Sequence, residues 1–483
     1  MRVSQFFKLK RNQASLPFID VDVVDDVRLF LNAKAIRALD TDWGDWCEYL
    51  ISNFFDHVIS SIKAGNSDAA LLSLEQLREP RETHLGMSAT GASGRGLGKE
   101  KARSLWASLK QSQAVKSGLL TDLEDTALLI EGVSVDIISD IITNIIREPL
   151  IDFTNQVCEE YGIPIQKQVN SGPLWNPEAK EWVVKFADFP MANDEKLLLV
   201  PKSIVRIQGD YDVSNYYRHY ILEDLKQKEL VAGSALVRTL KTGKNKGTRK
   251  VFIKDLQKKY GKEKKVVSIR ETLKNPSLLM KYKVENSEPT PPLTHAQLAD
   301  SQGTARPDWD KMLHAVLDLD VGKKKAYQYE DAIFDLTNAL FYPSLTDPEK
   351  QTPLHEGLKR VDITYYNYAN EGFFSWLGKH YSAPMIFLEC KNYGSEIGNP
   401  EIDQIAMRFS AKRGQFGIVF CRNVEKQDRL LERCKAAAND GHGYVVVIDD
   451  ARLVELVDEV KSEGALFRGQ YTVLKDEFGK LIL

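Results

Sequence analysis

Residues 385–391 read Met-Ile-Phe-Leu-Glu-Cys-Lys, and the reading of the fold starts there. Met385 to Leu388 form an apolar run with no polar face. A strand at the centre of a sheet covered on both sides needs that pattern. The strand closes on Glu389 and Lys391. Side chains two residues apart leave a strand on the same face. A carboxylate and an ammonium therefore stand side by side at the end of a buried strand, where charge is unfavourable without a partner or a task. Cys390 is expected to point to the other face. In isolation a Glu-x-Lys pair reads as a surface ion pair, so the surrounding elements decide its weight.

Working outward, KRVDITYYN (359–367) reads as the preceding strand, with Asp362 between Val361 and Ile363. PEIDQIAMRFSAKR (400–413) reads as a helix carrying Gln404. FGIVFCR (416–422) and YVVVIDD (444–450) read as strands, separated by the helix KQDRLLERCKAAAND (426–440) and followed by the helix ARLVELVDEV (451–460). Before them, residues 308–343 read as a helix broken near Gly322. From Ala326 onward it sets Glu330, Phe334, Thr337 and Phe341 on one face. Strands alternating with helices predict an α/β layer with a parallel component. ANEGFFSWLGKHYSAP (369–384) reads as a connection. Its Phe373, Phe374 and Trp376 serve either to stack on bases or to pack the loop or a dimer contact. The tail FRGQYTVLKDEFGKLIL (467–483) reads as a small hairpin.

Asp362 and Glu389 together offer hard anionic oxygens, the donors Mg²⁺ prefers, with waters and a substrate phosphate completing the shell. Such an ion polarises a phosphodiester and acidifies a bound water. Lys391 is then an electrostatic stabiliser first and a base second, because two neighbouring carboxylates keep it protonated. Glu330 is a candidate outer or second-metal carboxylate. Gln404 is a candidate orienter of the lysine, the water or a phosphate.

The ordered set Glu330, Asp362, Glu389-Cys390-Lys391, Gln404 resembles the PD-(D/E)xK nuclease superfamily. The stretch from Phe416 to Val457 resembles the catalytic domains of Mrr-like restriction endonucleases and archaeal Holliday-junction resolvases. Val361 stands where the family name has proline, a position with no chemical role. The resemblance covers about a third of the chain. It implies a restriction-endonuclease-like core with a mixed sheet flanked by helices. It also implies DNA as substrate, Mg²⁺ as cofactor with Mn²⁺ able to replace it, and the main-chain carbonyl of Cys390 as a further metal ligand. Proteins of this kind often serve in anti-phage defence. The alternatives are a nucleic-acid-binding or assembly protein with an inactive nuclease fold, and a nuclease acting on RNA.

The rest of the chain sets limits. Its 483 residues suggest about three domains. These are a mainly helical part (1–165), an α+β part (166–285), a Pro/Ser/Thr-rich linker (286–308), the nuclease-like part (309–460) and the tail (461–483). FIDVDVVDDVRLFL (18–31), EWVVKFADF (181–189) and KLLLVPKSIVRI (196–207) read as strands. Helical patterns run through 45–65, 69–79, 100–115 and 119–161, the last with breaks expected at Gly132 and Pro149, and through 214–230. With a net charge of −3, any nucleic-acid surface must be local. The stretch 238–265 supplies one candidate through Lys241, Lys244, Lys246, Arg249, Lys250, Lys258 and Lys259; otherwise it is a solvated face.

The glycine-rich stretch 86–102 lacks phosphate-loop spacing, since Ser93 and Glu100 occupy key positions. It is either an anion cradle at a helix start or a surface loop. His355 is a candidate ligand or base, or else a structural loop residue, and His442 a turn residue. The five scattered cysteines form no CxxC pair and argue against structural zinc. The opening MRVSQFFKLKRNQ (1–13) has charge but no apolar core after it and is not expected to act as a secretory signal, and acidic residues break the apolar run 127–146. A cytoplasmic protein is expected. It would be free of the membrane, with a homo-oligomer (dimer or tetramer) and a regulatory partner protein as further expectations.

Overall fold

The computed structural model describes residues 1–39, 41–87, 99–240, 247–354, 359–394, 397–464 and 467–483. The chain mixes helices and sheets, and the C-terminal region is built on a five-stranded mixed sheet.

That region opens with helix α1 (Ala326–Leu340). It is followed by strands β1 (Leu345–Leu354) and β2 (Lys359–Asn367), helix α2 (Gly372–His380), strand β3 (Met385–Lys391) and helix α3 (Asn399–Ala406). Strand β4 (Phe416–Cys421), helix α4 (Gln427–Asn439), strand β5 (Tyr444–Ile448) and helices α5 (Asp450–Glu463) and α6 (Thr472–Ile482) complete it. The sheet order is β5-β4-β3-β2-β1. β3, β4 and β5 run parallel, whereas β1 and β2 are antiparallel to their neighbours. β3 is the central strand, and its Ile386, Phe387 and Leu388 are fully buried. All six residues of β4 are buried as well. Both strands are covered on both faces, as their continuous apolar runs require.

Two helices sandwich the site end of the sheet. The Tyr365 hydroxyl on β2 bonds Thr337 Oγ1 (2.9 Å) and Asn338 Oδ1 (2.6 Å), which places α1 over that face. Asp362, three residues earlier, leaves the opposite face, toward α3.

Several expectations need correction. The tail is helix α6, not a hairpin. Leu474, Phe478 and Leu481 recur at helical spacing and are buried. Phe478 packs on Phe373, Trp376, Tyr381, Phe416 and Tyr444. The connection 369–384 contains α2, whose Phe373 and Phe374 are buried in that cluster and not free to meet bases. Strand β1 was not foreseen. Of 18–31 only Phe30–Leu31 forms a strand, paired with Val205–Arg206. The stretch 196–207 is not one strand either: only Lys196 and Val205–Arg206 are strand residues, with a 3-10 turn at Lys202–Ile204. The breaks expected in 119–161 are present: Gly132 lies between the helices Asp125–Leu129 and Val135–Ile145, and the run is interrupted again at Ile146, so that Pro149 sits in the first turn of the next helix, Arg147–Tyr161, where its missing N–H is harmless.

The expected long helices stand. Asp42–Lys63 is capped by the Thr41 hydroxyl and buries Cys47, Leu50, Ile51, Phe54, Phe55, Val58 and Ile59 at helical spacing. The strand Glu181–Ala192 pairs with Ile165–Asn176 in an antiparallel hairpin. The segment 286–308 carries the helix His295–Gln302, with Leu298 buried. The cysteines are free; four are buried and Cys390 is half-buried. Among the described residues no helix is long and apolar enough to cross a membrane.

The N-terminal part packs on α1. Arg11 bonds Asp331 and Asp335 of α1 at 2.8 and 2.6 Å. Asn338 Nδ2 donates to the Ser15 carbonyl. Tyr161 meets the Phe334 ring.

Candidate active site

The β2–β3 ladder fixes the centre of the site. Leu388 pairs with Ile363, so the next step in that register sets Glu389 across from Asp362. Residues opposite one another in an antiparallel pair share a face. The named pairing ends there, and the Cys390 amide donates to Asp362 Oδ2 (2.8 Å). Asp362 is thereby held at the point where the strands part.

On the same face Lys391 Nζ lies 3.0 Å from Glu389 Oε2 and 3.4 Å from Gln404 Oε1. The Gln404 amide donates to Glu389 Oε2 at 3.3 Å. Glu389, Lys391 and Gln404 thus close a triangle, with α3 supplying its third corner. Glu389 is fully buried, and its Oε1 has no hydrogen-bond partner. A buried carboxylate oxygen left unmatched is destabilising in itself. Burial, reinforced by the Asp362 charge, pushes the Glu389 carboxyl up to about 7 against the opposing pull of Lys391. Burial pulls the Lys391 ammonium down, but Glu389 and Asp362 outweigh it and the net direction is up. Lys391 therefore remains a cation.

Glu330 approaches from α1. Burial raises its carboxyl, as does the Asp362 charge, and a hydrogen bond from Gln351 opposes both. That bond runs from Gln351 Nε2 to Glu330 Oε1 at 3.0 Å. Gln351 was not singled out in the sequence. In the β1–β2 ladder Lys350 faces Ile363 and Thr352 faces Val361, so Gln351 stands across from Asp362. Its φ of +52° lies in the left-handed region that non-glycine residues avoid. Residues held in that region cluster at functional sites. Lys350 sits 3.1 Å from Asp331 and 4.0 Å from Glu330. It extends the charged row toward Arg11.

Asp362, Glu389 and Glu330 offer oxygen donors only, the set a hard divalent cation takes. The orphaned Glu389 Oε1 gives such an ion a ready ligand. Among the described residues no three of His, Cys, Asp or Glu stand together as a preformed metal cluster. Asp362, Glu389 and the Cys390 carbonyl would therefore hold an ion together with waters.

The basic stretch lies elsewhere. Arg249 and Lys250 form a short exposed ladder with Arg238–Thr239. Lys258 and Lys259 lie on the helix Ile253–Tyr260, where Lys259 pairs with Glu229. No hydrogen bond or ion pair between described residues joins them to the carboxylates above. Lys241, Lys244 and Lys246 lie outside the described residues, as do His355, Ser93 and residues 88–98 of the glycine-rich stretch. His442 lies in the turn before β5, its amide bonded to the Ala437 carbonyl.

Residues 8–212 match a family model described as a domain of unknown function, DUF8370. The match ends well before the site. No curated protein and no solved structure matches the chain.

Proposed function

We propose that the C-terminal region is a restriction-endonuclease-like core and that the protein is a metal-dependent endonuclease hydrolysing DNA phosphodiester bonds. The observation that carries this reading is the Glu389–Lys391–Gln404 triangle beside Asp362, with one buried Glu389 oxygen left unmatched. Mg²⁺, or Mn²⁺ in its place, would supply Lewis acidity and an acidified water when held by Asp362, Glu389 and the Cys390 carbonyl.

The chain's own residues do the rest. Lys391 holds a positive charge where negative charge grows on the phosphate during attack. Gln404 fixes the rotamers of Lys391 and Glu389 through one bond to each. Gln351 holds the Glu330 carboxyl by one hydrogen bond, within reach of the Asp362 charge, as an outer carboxylate able to orient a water. The N-terminal part and the basic stretch are assigned to target choice and control, with a homo-oligomer or a regulatory partner protein as the means. The setting proposed for this chemistry is defence against phage or foreign DNA, in which proteins with nuclease domains of this kind often serve.

The test is cleavage of supercoiled plasmid by the full chain with Mg²⁺, with EDTA, and with the Lys391→Ala and Glu389→Ala variants. Wild type should nick or linearise the plasmid only with metal, and each variant should lose about 10²-fold or more. Metal-dependent cleavage that persists unchanged in both variants would overturn the site.

A further inference from the structure

Two exposed tyrosines lie near the carboxylates. Tyr327, one turn before Glu330 on α1, is 69% exposed. Lys350 Nζ lies 5.0 Å from its ring centre, and the same ammonium is 4.0 Å from Glu330. Tyr393, two residues past Lys391, is 36% exposed, and its phenol acts electrostatically on the Lys391 ammonium.

The turn that starts α1 is fastened to this place. Asn392 Nδ2 donates to the carbonyls of Asp320 and Gly322, each at 3.0 Å. The Gly322 amide donates back to the Asn392 carbonyl at 2.9 Å. Arg422 locks the same turn through the carbonyls of Leu317 and Leu319 and through Asn392 Oδ1. Directly after it come Lys323, Lys324 and Lys325, of which the first two are exposed and the third half-buried. Asp318 and Asp320 are exposed in the same turn and offset part of that charge.

We infer that the rim formed by Tyr327, Tyr393 and Lys323–Lys325 is a track for an unpaired nucleic-acid strand, which it delivers to the carboxylates of the proposed nuclease site. The inference rests on the nuclease reading above and deepens it by naming the substrate class. Lysines alone suit any polyanion. Exposed rings near the site add what only unpaired bases can use, because the bases of a duplex are already stacked on one another. Base–aromatic stacking together with a basic track is how single strands are held without sequence preference. The substrate class is thus DNA with an unpaired stretch, whether a single strand, overhang, flap, junction or the unwound segment of a supercoiled plasmid, and not a relaxed continuous duplex.

The test measures binding of the full chain, in EDTA to bar cleavage, to a fluorescently labelled oligodeoxynucleotide and to its annealed duplex across a salt series. The single strand should bind more tightly. Tyr327→Ala should weaken single-strand binding between about 5- and 150-fold, the worth of one base stack. Tyr327→Phe should restore it, and duplex binding should hardly move. Combined Lys323→Gln, Lys324→Gln and Lys325→Gln should lower the slope of log affinity against log salt by about 2 for the single strand. Tyr327, Lys323 and Lys324 are exposed and Lys325 is half-buried, and circular dichroism of each variant checks that it folds. Wild-type affinity and slope in both variants overturn the track. Equal losses on duplex and single strand overturn the unpaired-strand assignment. Failure of the nuclease reading shows separately: plasmid cleavage that ignores Lys391→Ala refutes the site without touching these binding results.

Discussion

Replacing Glu160 with glutamine probes the ionic seam between the N-terminal part and α1. Glu160 ends the helix Arg147–Tyr161, and its Oε1 is buried without a hydrogen-bond partner. Burial pushes its carboxyl up to about 7, with Asp335 and Asp331 adding repulsion and Lys350 and Arg11 opposing it. A carboxyl raised in the folded state contributes stability that is fully present below its unfolded value near 4.5. That stability is lost as pH rises through about 7. At about 1.4 kcal/mol per unit, the loss comes to about 3 kcal/mol between pH 4.5 and pH 8, and somewhat less with partial solvent screening. Glutamine keeps the shape and cannot ionise. Glu160→Gln should therefore match wild type near pH 5 and exceed it at pH 8. With about 2.1 cal/mol/K of unfolding entropy per residue, a chain of 483 residues melting as one unit gains about 3 °C at pH 8. Differential scanning fluorimetry of both proteins from pH 5 to pH 8.5 reads the difference. A Tm difference that stays constant with pH, or a variant that melts lower at pH 8, would refute the argument.

Two further outcomes follow from the packing. Gln351→Gly relieves a left-handed backbone and should hold or raise stability, by up to about 1 kcal/mol in urea unfolding, while lowering plasmid cleavage because Glu330 loses its partner; unchanged cleavage removes Gln351 from the site. Phe478→Ala empties the ring cluster at the base of α6 and should destabilise by about 3–5 kcal/mol. A loss under 1 kcal/mol, measured the same way, would mean that α6 is not anchored there.

The sequence was most legible where one physical cause acts alone. The runs MIFL and FGIVFC are apolar because both faces of β3 and β4 are covered, and they marked those strands without ambiguity. The Asp362–Glu389–Lys391 grouping followed from strand parity. Strand β1 was hidden by Pro348 and Pro353, residues an edge strand tolerates and a central strand does not. Gln351 was hidden with it, since its left-handed backbone has no signature in a glutamine. The stretch 18–31 misled because its alternation reflects burial, not pairing. Val21 and Val23 are buried and Val24 is exposed, yet Ile19 and Val21 find backbone partners outside any ladder. In the tail, the hairpin reading passed over Leu474, Phe478 and Leu481, which already spelled out a helical stripe.

Helix α1 carries a consequence for how such a protein can be assembled in evolution. Eight of its fifteen residues are buried, and the helix serves two masters. Thr337 and Asn338 hold Tyr365 of the sheet, while Asn338, Asp331, Asp335 and Phe334 hold Ser15, Arg11 and Tyr161. Cutting the chain in the segment 286–308 would leave the helix bare on one side, with two acids stripped of their arginine. The C-terminal unit is therefore not a freely portable cassette. Fusing it to a different N-terminal part requires a new cover for α1, and the helix that brings Glu330 to the site would register any misfit.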